Sequence, residues 1–128
     1  MPERRATIRR RRAIFREAVA IIESEYERDI DVELLAGRVF TSRRQLQRAF
    51  AEIGETTFRR HLADVRMRRA VQILRRGRPV SEVAAMVGYR EPADFAKAFR
   101  RHYGRPPSSL LAQQERIPLQ SESRCDGP

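Results

Sequence analysis

The chain has 128 residues, 27 of them basic against 17 acidic, for a formal charge of +10. That length holds one domain or two small ones on a connector, and the charge points to polyanionic partners, nucleic acid above all. The single cysteine, Cys125, excludes a disulfide within the chain and a thiolate metal cluster, and the longest apolar runs, Ala18–Ile22 and Val83–Val87, are too short for a membrane span or a signal-peptide core.

Every basic residue except Lys97 is Arg. Genomic base composition accounts for Arg in place of Lys, but not for the excess of base over acid. In chain order, residues 1–12 read as a basic arm. A helix is predicted from about Arg9 to Arg28, with Ile14, Ala18, Ile21 and Ile22 in one stripe and Phe15, Val19 and Tyr26 beside it. Asp29–Asp31 break it, and Asp31 suits the N-cap of a short helix over 32–39. Thr41 or Ser42 caps the next, over 42–53, and Gly54 interrupts the pattern.

Thr56 or Thr57 starts a long helix, about 57–76, carrying Phe58, Leu62, Val65, Ala70, Ile73 and Leu74; Gly77 and Pro79 stop it. Ser81 is the expected cap of a helix over 82–87, Gly88 supplies a turn, and Pro92 suits the first position of a helix over 92–103. Gly104, Pro106 and Pro107 end that helix, and Ser108 suits the cap of a further turn. From Gln114 onward the tail has little to bury, so disorder is expected over 114–128.

This order contains a repeat. Residues 32–50 (VELLAGRVFTSRRQLQRAF) and 80–99 (VSEVAAMVGYREPADFAKAF) each give a short helix, a break and a second helix ending in Phe. Leu46, Ala49, Phe50 and Ile53 share one helix face, as do Phe95, Ala98, Phe99 and His102. Short helix, tight turn, second helix is the layout of the helix-turn-helix DNA reader. The expected fold is all-α: a basic arm (1–12), a first helix-turn-helix subdomain (13–55), a connector helix (56–78), a second subdomain (79–113) and the tail. A connector over 57–76 spans roughly 30 Å, against ~34–36 Å between successive major-groove faces. Either it spaces two readers along one duplex, or it is a core helix of incidental length.

At about 100° per residue, a first reading helix with Leu46 inward turns Arg44, Gln47, Arg48 and Ala51 outward, with Arg43 at the edge. Arg pairs bidentately with guanine and Gln with adenine, so Arg44, Gln47 and Arg48 are candidate base contacts; a solvated charged face is the plain alternative. The same construction from Phe95 turns Ala93, Ala96, Lys97 and Arg100 outward, with Asp94 near the edge. This face offers methyl contacts to thymine and positive charge, so less base specificity is expected of it. For Asp94, capping the helix start ranks above accepting a hydrogen bond from cytosine. Ser42, Arg43 and Arg100 are assigned to phosphate. Arg66, near the apolar stripe of the connector, is a candidate partner for a buried acceptor.

These residues resemble the AraC/XylS family of bacterial transcription regulators, over about Ala13 to Leu111. The match rests on Val80-x-x-Val83-Ala84-x-x-Val87-Gly88-Tyr89, Phe95-x-x-x-Phe99 and Tyr103-Gly104-x-x-Pro107. Ala36, Ser42, Leu46, Arg48 and Phe50 match the first module, and Leu62, Arg66, Ala70 and Leu74 the connector. The resemblance implies two reading helices in adjacent major grooves, with base contacts at Arg44, Gln47 and Arg48, then at Ala93, Asp94, Ala96 and Lys97. Three departures stand out. Phe40 replaces a frequent turn glycine, so packing is expected to hold that turn. Gly54 comes one residue before the usual glycine, whose place Glu55 takes. Leu111 replaces a frequent Arg. No room for an effector domain is left, which suits a small standalone member or a piece of a longer protein.

No cofactor, metal or catalytic constellation is expected. The only histidines are His61 and His102, with His102 on the core-facing stripe, and no phosphate-binding glycine loop or nucleophile motif is present. The expected function is a sequence-specific, double-stranded-DNA-binding transcription regulator in the cytoplasm, acting as a monomer on DNA, with RNA polymerase a further candidate partner. The competing readings are a nonspecific architectural DNA-binding protein and a module that binds another regulator or polymerase without reading DNA.

Overall fold

A computed structural model describes residues 2–110, and side chains from residue 5 onward. The tail over 114–128, Cys125 and Leu111 lie outside the described residues. The described residues include the helices α1 (Pro2–Glu25), α2 (Val32–Arg38), α3 (Arg43–Glu52), α4 (Phe58–Arg75), α5 (Val80–Met86) and α6 (Pro92–Tyr103). Another helical turn begins at Ser108, and there is no strand among the described residues. The chain divides into two compact units, with the boundary between Val65 and Arg66 inside α4.

In the first unit, α1 packs on α3 and α2, and α2 on α3. Its core holds Ile14, Ala18 and Ile22 of α1, Leu35 and Ala36 of α2, Leu46, Ala49 and Phe50 of α3, and Phe58, Leu62 and Val65 of α4. Phe50 sits at its aromatic centre, edge-on to Phe15 at 5.2 Å and to Phe58 at 6.2 Å between ring centroids, an arrangement aromatic quadrupoles favour. Helices α2, α3 and α4 are each started by a side chain that accepts from an otherwise unpaired backbone N–H. Asp31 accepts from the Leu34 N–H at 2.7 Å, Ser42 from that of Gln45 at 3.1 Å, and Thr57 from that of Arg60 at 3.1 Å.

Helix α1 begins at Pro2 rather than near Arg9, so most of the expected arm is helical. Proline is tolerated at a first helical position, and residues 3–12 contain no glycine or further proline to break the run. Arg11 pairs with Glu52 at the end of α3. At its other end α1 stops at Glu25, whose carboxylate is gripped by both terminal nitrogens of Arg38 (2.6 and 2.9 Å). This pairing holds the Glu25 carboxyl below its ordinary range. Gly54 has a packing reason: a Cβ there would lie 2.6 Å from the Phe15 ring. The next residue, Glu55, takes the left-handed conformation at φ 53°, at the place where the resembled family often has glycine.

In the second unit, α5 packs on α6. Met67, Ala70, Leu74, Val83, Ala84, Val87, Phe95 and Phe99 are buried. Helix α5 starts at Val80 with Pro79 at the cap position and no side-chain cap, which corrects the expectation for Ser81. The fixed φ of Pro79 (−61°) sets the entry instead. Helix α6 is closed by Gly104 at φ 80°, whose N–H reaches the Arg100 carbonyl at 2.7 Å. His102, expected on the core-facing stripe, is exposed and lies edge-on to Tyr103 at 4.6 Å. It falls in the last turn of α6, past Phe99, the last fully buried ring on that stripe.

The two units share one turn. The Phe40 N–H bonds to the Gly37 carbonyl (3.2 Å) and the Thr41 N–H to that of Ala36 (2.9 Å); the Gly88 N–H bonds to Ala85 (3.1 Å) and the Tyr89 N–H to Ala84 (2.9 Å). Both are Schellman-type closures around one left-handed residue. Gly88 adopts it at φ 101°, Phe40 at φ 56°. Packing does not hold Phe40, which is 89% exposed; the two reversed hydrogen bonds hold it. At the second turn a Cβ on Gly88 would lie 2.9 Å from the Arg66 guanidinium. That guanidinium also covers the Tyr89 ring, 5.3 Å from its centroid.

These turns predict opposite responses. Phe40→Gly removes the left-handed penalty and exposes nothing that was buried, so it should stabilise the chain by about 1 kcal/mol. Gly88→Ala adds both that penalty and the clash with Arg66, so it should destabilise by about 1–3 kcal/mol. Thermal unfolding followed by circular dichroism should show Phe40→Gly melting higher and Gly88→Ala lower than the parent chain; a lower midpoint for Phe40→Gly would mean that its ring has a stabilising contact.

Candidate nucleic-acid interface

The turn fixes which side of each second helix is free. In α3, Leu46, Ala49 and Phe50 are buried, so Arg44, Gln47 and Arg48 stand on the solvent side. The side chains of these three have no hydrogen bond or ion pair with any other described residue. Their donors are therefore available, and a bidentate base contact needs just that. Arg43, one residue into α3, lies 3.6 Å from Glu33 of α2 in an exposed pair. Such a pair is weak, so exchanging Glu33 for a phosphate costs little. The Ser42 hydroxyl accepts from the Gln45 N–H, which leaves its own O–H free to donate.

Helix α6 is the counterpart. Ser42 and Glu91 are the respective N-caps, and Leu46, Ala49 and Phe50 correspond to Phe95, Ala98 and Phe99. Arg44, Gln47 and Arg48 then correspond to Ala93, Ala96 and Lys97. Ala93, Asp94, Lys97 and Arg100 are exposed; Ala96 is half-buried. The cap is Glu91, without a side-chain bond, and Asp94 is an acid of the first turn. There it faces the positive end of the helix dipole. This departs from the expected side-chain cap while keeping Asp94 at the helix start.

Arg66, the candidate partner for a buried acceptor, lies against the second turn. Its guanidinium packs on the turn that leads into α6, over the half-buried Tyr89 ring. Burial pushes the Tyr89 hydroxyl above its ordinary range, and Arg66 beside it opposes that shift. Met67, next in sequence, is fully buried and was absent from the apolar positions assigned to the connector. Among the described residues no group of three or more His, Cys, Asp or Glu side chains is placed to hold a metal ion, and no helix is long and apolar enough to cross a membrane.

Comparison with known proteins bears on the same segments. The profile of a helix-turn-helix domain matches residues 35–113, from α2 through the turn after α6. The HTH-type transcriptional regulator GbdR of Pseudomonas aeruginosa is 36% identical over 92 residues, which are 71% of this chain and 25% of that protein. The chain thus spans about a quarter of the length of this relative. A crystal structure of an AraC-type transcriptional regulator from Chromobacterium violaceum superposes with a TM-score of 0.75 at 26% identity, covering 84% of this chain and 96% of that one. The DNA-binding domain of AdpA, a global transcriptional factor solved with a target DNA, gives a TM-score of 0.76 at 31% identity, covering 82% and 96%. With a doubled helix-turn-helix, matching closures at both turns and this coverage, the chain belongs to the AraC-type helix-turn-helix family of bacterial transcription regulators that bind specific DNA sequences.

Proposed function

We propose that α3 and α6 enter two adjacent major-groove segments of one duplex, and that α3 does most of the reading. The observation that carries this is the unpartnered Arg44–Gln47–Arg48 face of α3, set opposite its buried stripe. Arg44 and Arg48 pair with guanine and Gln47 with adenine, while Ser42 and Arg43 hold phosphate at the helix start. On α6, Ala93 and Ala96 offer methyl contacts, Asp94 an acceptor for cytosine, Lys97 charge to a base edge, and Arg100 a phosphate contact. A face with so few directional groups positions the second module more than it reads. An architectural binder has no need of such a patterned first face.

The functional division is a first subdomain over 13–55, a connector over 56–78 and a second subdomain over 79–113. Two readers in one chain make a monomer sufficient for a full site. A DNA target places the protein in the cytoplasm with the nucleoid, and RNA polymerase is the macromolecule such a regulator would meet at a promoter.

Selection of preferred sites from a random duplex library tests the division of labour. The parent chain should recover a site with two preferred segments about one helical turn apart. Arg44→Ala and Arg48→Ala should each cost about 1–3 kcal/mol and relax preference at one position. Lys97→Ala and Arg100→Ala should weaken binding across all sequences and reduce the salt slope by about one unit each. A Lys97 variant that shifts the preferred bases as far as the Arg48 variant would show equal readout by both modules. Native mass measurement on the minimal site should find one chain per duplex; two would contradict the monomer.

A further inference from the structure

Helix α1 carries a feature that reading by α3 and α6 does not use. Residues 5–16 contain six arginines and no acid. Arg11 is taken up by Glu52. Arg5, Arg9, Arg12 and Arg16 are exposed, and their side chains have no hydrogen bond or ion pair with any described residue. Their spacing of four, three and four residues sets them within about 60° of helix circumference. That stripe is centred about 150° from the line of Ile14, Ala18 and Ile22, by which α1 joins the core it shares with α3. It therefore points away from α3. Four like charges at i, i+3 and i+4 repel one another, and no described residue pairs with them. A surface of this kind is stabilised by a polyanion.

We infer that the Arg5–Arg9–Arg12–Arg16 face of α1 is a second, sequence-independent phosphate-binding surface, which takes a DNA backbone other than the one flanking the groove of α3. The inference rests on α1 alone and stands whether or not α3 is the sequence reader. The stripe rises about 16 Å over its 11 residue steps, enough to face on the order of four or five phosphates of a strand lying alongside it, at ~3.4 Å of duplex axis each. Long guanidinium side chains reach such oxygens in pairs. An acidic protein surface is the less suitable occupant: protein interfaces are built around buried apolar and aromatic anchors, and only Ile8, 37% exposed, lies beside the stripe. Bound through α3 and α6 to its site, the chain thus keeps a free surface for a second stretch of duplex.

The test compares the full chain with three variants: Arg5, Arg9, Arg12 and Arg16 all changed to Ala; the same four changed to Lys; and Arg44, Gln47 and Arg48 changed to Ala. Alanine is the stronger helix former, and circular dichroism checks that the helix is kept. On an unrelated duplex the four-alanine variant should bind at least tenfold more weakly at moderate salt, with a log–log salt slope lower by about three and a half units, at ~0.9 per phosphate. The four-lysine variant should hold most of that affinity, and the α3 variant should keep the unrelated duplex while losing its selected site. Parent protein saturated with a short target duplex should also capture a second, labelled unrelated duplex, and the four-alanine variant should not. Parent-like affinity and slope for the four-alanine variant would overturn the inference. So would polyglutamate that displaces the unrelated duplex from the parent at equal charge concentration, which would make an acidic protein the occupant.

Discussion

Each helix-turn-helix depends on one backbone event. A single residue in the left-handed region turns the chain so that two successive N–H groups reach back to carbonyls of the helix just finished. Phe40 and Thr41 do this to Gly37 and Ala36; Gly88 and Tyr89 do it to Ala85 and Ala84. The reversal lets the second helix lie against the first; Leu35 and Leu46 are buried in one module, Val83 and Phe95 in the other. Once those stripes are buried, the rotation of α3 and α6 about their own axes is set. What faces solvent is then a consequence of the turn and not an independent property of the exposed residues.

The two turns reach this geometry by different means. Gly88 takes the left-handed conformation without steric cost, and the space a Cβ would need is occupied by Arg66, which also covers Tyr89. Phe40 takes it against its preference and leaves its ring in water. Glu55 shows a further non-glycine residue at positive φ, beside a glycine kept for the close approach of Phe15. Such strain persists where surrounding structure over-determines it. Here the Ser42 cap and the core around Phe50 are what hold the first module in place.

Much of this was legible in residue order, because helix periodicity and caps are local properties. Helix α6 runs over the expected 92–103, Ser42 and Thr57 cap as two of the alternatives allowed, and the outward placement of Arg44, Gln47 and Arg48 follows from Leu46 and Phe50 being apolar. The misreadings have nonlocal or backbone causes. The arginine-rich stretch over 1–12 looked like an arm because charge resembles disorder, yet residues 3–12 hold nothing that breaks a helix. Phe40 looked like a packing residue because an exposed aromatic is costly, yet a backbone closure needs no side chain. Ala96 was placed outward on the wheel and His102 inward, but Ala96 is half-buried and His102, at the end of its helix, is exposed. The Arg66 guanidinium over Tyr89 joins residues 23 positions apart in sequence, which no periodic pattern reports.

The central claim is that the same turn, built twice, presents two helices to one duplex at two places. Tethered cleavage tests it most directly. With Cys125 replaced by Ser, a cysteine at Gln47 or at Lys97 would carry an iron chelate that cuts nearby DNA, each variant being bound to the selected site. The account predicts one cutting centre per variant, the two lying on the same side of the duplex and separated by about 10–10.5 base pairs. Coincident centres, or cutting from position 47 with none from position 97, would contradict it.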